Sequence, residues 1–176
     1  MTTSQITGAD DAIAELRSLP DKLRRRALRN SLAAGGRVVR DAAKSRAPVL
    51  RRATQYRTPG LLRDSIAVRT SKRDRQAGDV GVFVNVRPAN GAARGAKSKA
   101  DPYYWRWIEF GRSAGQTKRV TRANGQRRTT MVAVGAIPPA RFLADSADAF
   151  PAAKVKIEAG FVREAEKLNR RRPDAK

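Results

Sequence analysis

The sequence predicts an α+β fold in which a long N-terminal helix and a C-terminal helix pack on a small antiparallel sheet, with a basic hairpin protruding from it. Three observations lead to this class. Residues 21–46 have a helical period, valines alternate over residues 80–86, and an Asn124-Gly125 pair separates two extended segments. Strands that lie between helices in this order are typical of α+β domains.

The length and composition predict one domain with a thin core. The chain has 176 residues, of which 40% are hydrophobic and only 6% aromatic. Part of the apolar surface is therefore expected to be buried only in an oligomer. We place a single domain at residues 1–168, with the basic hairpin as an insertion at residues 112–131 and a charged flexible tail at residues 169–176.

Two helices are predicted at the N-terminal end, at residues 8–18 and 21–46. Pro20 is well placed to start the second helix, because proline is favoured in the first turn. Apolar residues line one side of this helix and basic residues the other. The Gly35-Gly36 pair in its middle predicts a kink or a close contact of the helix with the sheet. The basic side consists of Lys22, Arg26, Arg29, Arg37, Arg40 and Lys44.

Two strands are predicted next, at residues 61–70 and 80–86, and they are expected to pair as a hairpin. Residues 58–60 (Thr-Pro-Gly) carry the signal of a type II turn before the first strand. The valines at every second position from 80 to 86 indicate a half-buried second strand. The polar residues 71–79 between them are predicted to form a loop, and residues 87–101 a mobile surface loop.

The second half of the chain contains the Asn124-Gly125 hairpin and two predicted helices. Asn-Gly is the strongest two-residue turn signal. Counting outwards from this turn pairs Arg122 with Arg127, Val120 with Thr129, and Lys118 with Met131. A helical stretch is predicted from the Ile-Pro-Pro segment at residue 137 to residue 150, and a last helix from residue 151 to about residue 168.

The charge of the chain favours contact with a polyanion over catalysis. There are 38 Lys and Arg against 16 Asp and Glu, which gives a formal net charge of +22, and there is no His or Cys. An imidazole base, a thiolate nucleophile and nitrogen or sulfur metal ligands are therefore absent from the sequence. No G-x-x-x-x-G-K loop and no strand with a nuclease-type group of acids is recognisable. We expect a protein that binds and assembles, without cofactor or metal and without enzymatic activity.

Two basic surfaces are candidates for contact with DNA or a partner. No acidic residue occurs between Phe110 and Ala144, and like charges facing each other across a ribbon cost stability unless an anion is near. Without a recognisable base-reading pattern, any DNA contact would be independent of sequence. The alternative is that both surfaces are simply solvated. The candidates are Lys118, Arg119, Arg122, Arg127 and Arg128 in the hairpin and Arg26, Arg29 and Arg37 in the long helix.

The aromatic run at residues 103–110 predicts a core or a subunit interface. It holds both Trp residues of the chain, and stacking on unpaired bases is the weaker alternative. Glu109 lies within the run and is expected to pair with an Arg or to cap backbone amides. The candidate interface residues are Tyr103, Tyr104, Trp105, Trp107, Phe110, Phe142 and Phe161.

Four segments, taken in order, resemble the head–tail joining (neck, or tail-completion) family of long-tailed bacteriophages. Residues 19–23 lead into a basic, Ala-rich helix that ends in Ala-Ala-Lys-Ser-Arg-Ala-Pro at residues 42–48. Residues 58–66 are similar to a T-G-x-L-x-x-S-I stretch of the family, with one residue inserted before the Gly. Residues 104–111 resemble its aromatic run ending Glu-Phe-Gly. Residues 137–143 are similar to its Pro-Ala-x-Pro-Phe-Leu segment, without the Pro directly before the Phe.

The resemblance covers roughly residues 19–165 and implies a non-enzymatic virion protein. In this family such a protein forms a ring in the neck, between the capsid connector and the tail tube, around the channel through which DNA passes. The implied partners are further copies of the chain in a hexamer or dodecamer, the connector or head-closure protein, the tail terminator or tail tube proteins, and the DNA backbone. The implied location is the virion neck, after synthesis in the host cytoplasm, with no membrane contact.

Apart from the resemblance, the residues themselves are compatible with two other functions. The first alternative is a free, sequence-independent nucleic-acid-binding protein, whose binding would weaken steeply as salt rises. A phage nuclease or an inhibitor protein is a third and weaker one. The basic insertion at residues 112–131 lies where the family usually has a shorter connection, so the resemblance assigns it no role.

Overall fold

The computed structural model describes residues 8–18, 20–54, 57–90, 94, 98–123 and 126–170, and it has the predicted α+β fold. Its elements in chain order are α1 (Ala9–Arg17), α2 (Asp21–Arg46), α3 (Leu61–Asp64), β1 (Ile66–Thr70), α4 (Lys72–Ala77), β2 (Val82–Val86), α5 (Trp105–Phe110), β3 (Gly115–Ala123), β4 (Gln126–Val134), a 3-10 helix (Ala144–Ala149) and α6 (Phe150–Arg170).

The central element is α2, which packs on α6 and on the β1–β2 sheet. Gly35 lies against α6 so closely that a Cβ atom there would be 2.4 Å from Cγ1 of Ile157. Gly36 lies against the sheet, where a Cβ would be 3.0 Å from Cγ1 of Val68. The predicted close contact of the glycine pair with the sheet is therefore confirmed for Gly36, and α2 is one continuous helix. The C-terminal helix was predicted to pack on the sheet, but α6 makes its main contacts with α2.

The two predicted strands pair in antiparallel orientation, with Ile66 opposite Val86 and Thr70 opposite Val82. The first strand is shorter than predicted, because residues 61–64 form the helical turn α3. Gly60 precedes it with a φ of 79°, and Asp64 N donates to Gly60 O at 2.9 Å.

The predicted loop at residues 71–79 contains the short helix α4. The Ser71 hydroxyl accepts a hydrogen bond from Asp74 N at 3.2 Å, which is a helix N-cap. Gly78 ends the helix with a φ of 90°, a conformation that glycine adopts without strain. The predicted mobile loop at residues 87–101 lies partly outside the described residues, namely at 91–93 and 95–97.

Residues 137–143 are not helical, which corrects the prediction of a helix from residue 137 to residue 150. This segment runs beside the end of α5 and bonds to it instead of to itself. Arg112 and Ile137 exchange two backbone hydrogen bonds of 2.8 Å, and Ala140 N donates to Ile108 O at 2.7 Å. The prolines at 138 and 139 have no N–H and cannot continue a helical bonding pattern. Within the predicted range 137–150, the helical part before α6 is the 3-10 helix.

The predicted basic hairpin is present as a separate two-stranded ribbon of β3 and β4, which we call the ribbon. Its register is the predicted one, with Arg122 opposite Arg127, Val120 opposite Thr129 and Lys118 opposite Met131. The turn residues 124 and 125 lie outside the described residues, as do 171–176 of the predicted tail. Asn169 and Arg170, which were predicted to belong to that tail, continue α6.

Two apolar clusters form the core. The smaller cluster joins α1, α2 and α6 through Ala12, Leu16, Ala27 and Ala165. The larger one lies between α2, the β1–β2 sheet and α5. It consists of Ala43, Ala47, Leu62, Ile66, Val86, Tyr104 and Phe142.

Candidate functional site

Glu109 connects α5 to the segment that follows the ribbon. Its side chain is buried, with 3% of the residue exposed. One carboxylate oxygen accepts from Leu143 N and the other from Ala144 N, both at 2.9 Å. Its carbonyl oxygen accepts from Arg141 N at 3.2 Å. Of the two roles predicted for this acid, the capping of backbone amides is therefore the one found.

The aromatic candidates divide into core residues and surface residues. Phe142 is completely buried and Tyr104 is 5% exposed, and both belong to the larger core cluster. These two residues were predicted for a subunit interface. Their burial assigns them to the core of the single chain, where they cluster with Ala43 of α2, Ile66 of β1 and Val86 of β2. Phe161 is half-buried and packs on the smaller core cluster.

The remaining aromatic candidates lie on α5 or just before it, and we call them the aromatic surface. They are Tyr103, Trp105, Trp107 and Phe110. Phe110 is 71% exposed and Trp107 is 37% exposed. Trp105 is half-buried, with its ring centroid 6.5 Å from that of Phe110. Tyr103 packs edge-on against Trp107, with the centroids 5.8 Å apart. The structure therefore forms two aromatic pairs near the entry to the ribbon, Tyr103 with Trp107 and Trp105 with Phe110.

Arg112 fixes the base of the ribbon to this surface. Its guanidinium carbon lies 5.2 Å from the centroid of Trp107, within the range of a cation–π contact. Its Nη2 donates to Gly135 O at 2.9 Å. Its Nε is buried and has no hydrogen-bond partner among the described residues. The ribbon therefore leaves the body at a defined point, since its two ends are joined to each other and to α5.

Tyr104 lies beneath Arg57, whose guanidinium carbon is 4.9 Å from the centroid of the ring. Burial raises the pKa of the Tyr104 phenol, and the positive charge of Arg57 opposes this increase. The phenol is therefore uncharged at neutral pH and serves as part of the core.

The ribbon exposes its basic residues on both faces. Every residue of β3 and β4 for which burial is described is exposed, except Val134. Arg119 and Arg128 lie at positions of one face, and Lys118 and Arg127 at positions of the other, as the register requires. Among the described residues, none of these four cations has an ion pair.

The basic residues predicted on α2 are separated by the structure. Arg26 and Arg29 line a cleft together with Arg75 of α4, whereas Arg37 is exposed at a distance along the helix and does not line it. We call this cavity of about 290 Å³ the basic cleft. Sequence reasoning missed Arg75, because residues 71–79 were predicted to be a loop, and it did not place Arg25 on the basic side of α2. The full lining is Lys22, Arg25, Arg26, Arg29, Thr70, Arg75, Asp79 and Val80.

A second cavity is almost entirely apolar, and we call it the apolar groove. It has a volume of about 380 Å³ and lies between α2, β2 and the start of α6. Phe83 and Phe150 are exposed at its border. Sequence reasoning did not find this groove, since it depends on how α6 crosses α2. The other lining residues are Leu32, Gly35, Gly36, Val39, Val82, Val84, Leu143, Ser146, Ala153 and Ile157.

Two further kinds of site are not found in the described part of the chain. No helix there combines the length and the apolar character that crossing a membrane requires. Within the same residues, no group of three or more acidic side chains is arranged to hold a metal ion.

The comparison with known proteins gives one family. The family described as "Bacteriophage HK97-gp10, putative tail-component" matches residues 10–111, which extend from α1 to the Gly that follows α5. No curated protein and no solved structure gives a significant match. The ribbon, the 3-10 helix and α6 follow the matched region. Since the match covers more than half of the chain, this protein belongs to the HK97-gp10-like family of bacteriophage tail components, and is a structural protein of the phage virion.

Proposed function

We propose that this chain forms a ring in the phage neck, where it joins the capsid connector to the tail and surrounds the DNA channel. Membership of a tail-component family supports a structural role in the virion. The main observation in favour of a ring is the apolar surface that a single chain leaves exposed, which includes Phe83, Phe110, Phe150 and Val155. Phe83 and Phe150 border the same apolar groove, and exposed apolar surface that is contiguous in this way marks an interface.

A ring requires two different surfaces on each subunit, because each copy contacts its neighbours head to tail. The aromatic surface and the apolar groove meet this requirement. They belong to different elements, and one carries a projecting ring, Phe110, while the other is concave. We therefore assign the subunit contact to these two surfaces, with a second copy of the chain as the occupant of the groove. The connector and the tail terminator or tail tube would contact the two rims of the ring.

The ribbon supports the DNA-channel part of this proposal. It carries exposed cations without acidic neighbours from Phe110 to Ala144, and such a surface gains from nearby phosphate groups. A two-stranded ribbon is only marginally stable by itself, so contact with DNA or with an adjoining ring would also stabilise it. We assign Lys118, Arg119, Arg127 and Arg128 to this contact.

The ring is tested by the particle mass and symmetry of the purified protein, from light scattering and negative-stain images at low and high salt. We expect closed rings that persist at high salt, because apolar contacts are not screened. Phe110→Ser should reduce ring formation, whereas Val49→Ser, at an exposed apolar residue outside both surfaces, should not. A wild-type protein that stays monomeric when mixed with its connector would overturn the ring.

The DNA-channel part is tested separately in phage particles. Arg119, Arg127 and Arg128 are changed together to Glu in a complementation assay. We expect assembled particles with impaired DNA ejection, because the reversed charges repel the phosphates. Normal assembly together with normal ejection would show that the ribbon does not face DNA.

The charged ribbon also favours a second candidate, a free nucleic-acid-binding protein that is independent of sequence. The two candidates differ in their response to salt. Rings that persist at high salt support the neck protein, whereas a monomer that binds nucleic acid tightly only at low salt supports the alternative.

A further inference from the structure

The basic cleft collects cations from two elements that are far apart in the sequence. Lys22, Arg25, Arg26 and Arg29 come from the first turns of α2, and Arg75 comes from α4. The floor between them is formed by Thr70 at the end of β1 and by Val80 before β2. The convergence results from the packing of α2 on the β1–β2 sheet, which places α4 beside the start of α2.

Among the described residues, acidic side chains balance only part of the charge in this cleft. Asp21 pairs with Arg24 and lies 3.7 Å from Arg25, which partly neutralises Arg25. Asp79 also lines the cleft, but forms no ion pair with its cations. Within the described part of the chain, Lys22, Arg26, Arg29 and Arg75 have no ion pairs. Four unpaired cations around one concavity repel each other and favour an anion between them.

The position of these cations on α2 costs helix stability. The first turn of a helix carries the positive end of its dipole, so the basic residue located there, Lys22, is unfavourable by a few tenths of a kcal/mol. Basic residues spaced four apart, such as Lys22 and Arg26, add a like-charge penalty of about the same size. The arrangement therefore weakens the isolated protein, and a bound anion would compensate for it.

We propose that the basic cleft binds the phosphodiester backbone of DNA, separately from the ribbon. This inference rests on the proposed function, since channel DNA is the polyanion that a neck ring meets. The guanidinium groups of Arg26, Arg29 and Arg75 can each present two N–H donors to the oxygens of a phosphate group. The cleft provides no base-reading geometry, so its contact is independent of DNA sequence.

A phosphate backbone fits the cleft better than an acidic protein does. Protein interfaces bury aromatic and aliphatic side chains at their centre and contain little Lys. Among the described residues that line the cleft, Val80 is the only aliphatic one, and none is aromatic. A phosphate group needs no apolar area, because its affinity comes from charge and counterion release.

The test compares variants of the full chain in binding to a short labelled DNA duplex over a salt series. The cleft variant carries Arg29→Gln and Arg75→Gln, which are exposed residues on opposite walls. A matched control carries Lys156→Gln and Arg163→Gln, which remove the same charge from exposed positions of α6. A third variant carries Arg29→Lys and Arg75→Lys. Thermal unfolding checks that all of them are folded.

We expect the cleft variant to bind several-fold more weakly at low salt than the control. Its plot of log K against log salt should be less steep by about 0.9 for each phosphate group that the cleft no longer neutralises. The Lys variant should keep the steepness but bind more weakly, because Lys cannot form the two-donor contact. The proposal would be overturned if the cleft variant and its control bound DNA with equal affinity and gave plots of equal steepness. Polyglutamate serves as a probe for an acidic protein, and a cleft variant that binds it more weakly but binds DNA as before would also overturn the proposal. Ring formation by the cleft variant is measured in parallel, so failure of the cleft and failure of the neck role are distinguishable.

Discussion

At the scale of single residues, Glu109 determines how the chain returns to the body after the ribbon. Its carboxylate is buried and accepts two backbone N–H groups at 2.9 Å, from Leu143 and Ala144. Hydrogen bonds to a charged group contribute more than neutral ones, about 1.5–3 kcal/mol each. Phe142 belongs to the larger core cluster and stands in the sequence between Arg141 and Leu143. The N–H of Arg141 bonds to the carbonyl oxygen of Glu109 and that of Leu143 to its carboxylate, so Glu109 also positions Phe142.

Glu109→Gln is expected to lower the free energy of unfolding by about 2 kcal/mol. The replacement amide has only one acceptor oxygen, and its NH₂ group would face one of the two backbone donors. The measurement is urea unfolding followed by circular dichroism. Glu158→Gln serves as the control, because this half-exposed acid pairs with Lys154 at 3.8 Å and such pairs contribute under about 1 kcal/mol. Equal losses of stability in both variants would contradict the structural role of Glu109.

The sequence alone predicted a partner for Glu109 but could not distinguish core aromatic residues from surface ones. Phe142 and Phe110 are the same residue type, yet the first is completely buried and the second is 71% exposed. Their difference depends on the non-helical path of residues 137–143 beside α5. That path is set by backbone hydrogen bonds between segments separated by the ribbon, and no local pattern records it.

At the scale of elements, the crossing of α2 and α6 depends on small residues at the contact. Gly35 faces Ile157 and Ala153, and a Cβ on Gly160 would be 3.0 Å from Cα of Ser31. Asn30 Nδ2 donates to Glu164 Oε2 at 3.4 Å on the same side. This close approach of the two helices forms one wall of the apolar groove, so the groove and the helix crossing have a common origin.

Gly35→Ala and Gly36→Ala are expected to have different effects although they are neighbours on one helix. Both gain about 1 kcal/mol of helix propensity. At Gly35 the new methyl group would be 2.8 Å from the backbone oxygen of Ala153, and overpacking of this kind costs about 1–3 kcal/mol. At Gly36 the nearest atom is Cγ1 of Val68 at 3.0 Å, which needs to move only slightly.

Urea unfolding of the two variants provides the measurement. We expect Gly35→Ala to be less stable than the wild type by up to about 2 kcal/mol, because the gain in helix propensity offsets part of the overpacking cost. We expect Gly36→Ala to be more stable than the wild type by up to about 1 kcal/mol. Equal stability of the two variants would indicate that α6 does not cross α2 at Gly35.

Elements with a strong local signal were predicted correctly, and those fixed by distant contacts were not. The bounds of α2 follow from its long apolar period, and the register of the ribbon follows from the Asn124-Gly125 pair. By contrast, α4 was predicted as a loop. Its cap at Ser71 and its end at Gly78 can be read afterwards, but its polar composition has no apolar period. The basic cleft was missed for the same reason, since it needs α4 beside α2.

Replacing residues 115–134 by Asn-Gly is expected to leave the body folded. None of the ribbon residues whose burial is described belongs to either core cluster, and the Arg112–Ile137 bridge holds the two ends together. We expect a change in Tm of less than about 3 °C, which corresponds to under 1 kcal/mol for a chain of this size. The measurement is thermal unfolding by circular dichroism. A large fall in Tm would show that the ribbon is part of the folding unit, and would remove the basis for varying it independently.

At the scale of the whole molecule, the net charge of +22 is distributed unevenly by the fold. The ribbon and the basic cleft hold cations without ion pairs among the described residues. Other acids pair away from these two places, for example Asp41 and Asp64 with neighbouring arginines. A folded chain with such charge repels itself. Simple salt should therefore raise its stability by screening, whether or not DNA is bound.

DNA is expected to raise Tm at low salt and to have no such effect at high salt. This dependence distinguishes stabilisation by bound DNA from stabilisation by simple salt, which screens the repulsion between cations. A ligand present at about 100 times its Kd adds about 2.7 kcal/mol if it binds only the folded state. The unfolded chain carries the same charge and also binds DNA, so stabilisation arises only where folding brings cations together. The measurement is Tm with and without a short DNA duplex over a salt series, with the ribbon-replaced chain and the cleft variant as comparisons. Both should show a smaller increase than the wild type, because each removes one place where folding concentrates charge. A Tm that falls when DNA is added would mean that the unfolded chain binds DNA better than the folded one, and would contradict the proposal that the folded chain contacts DNA.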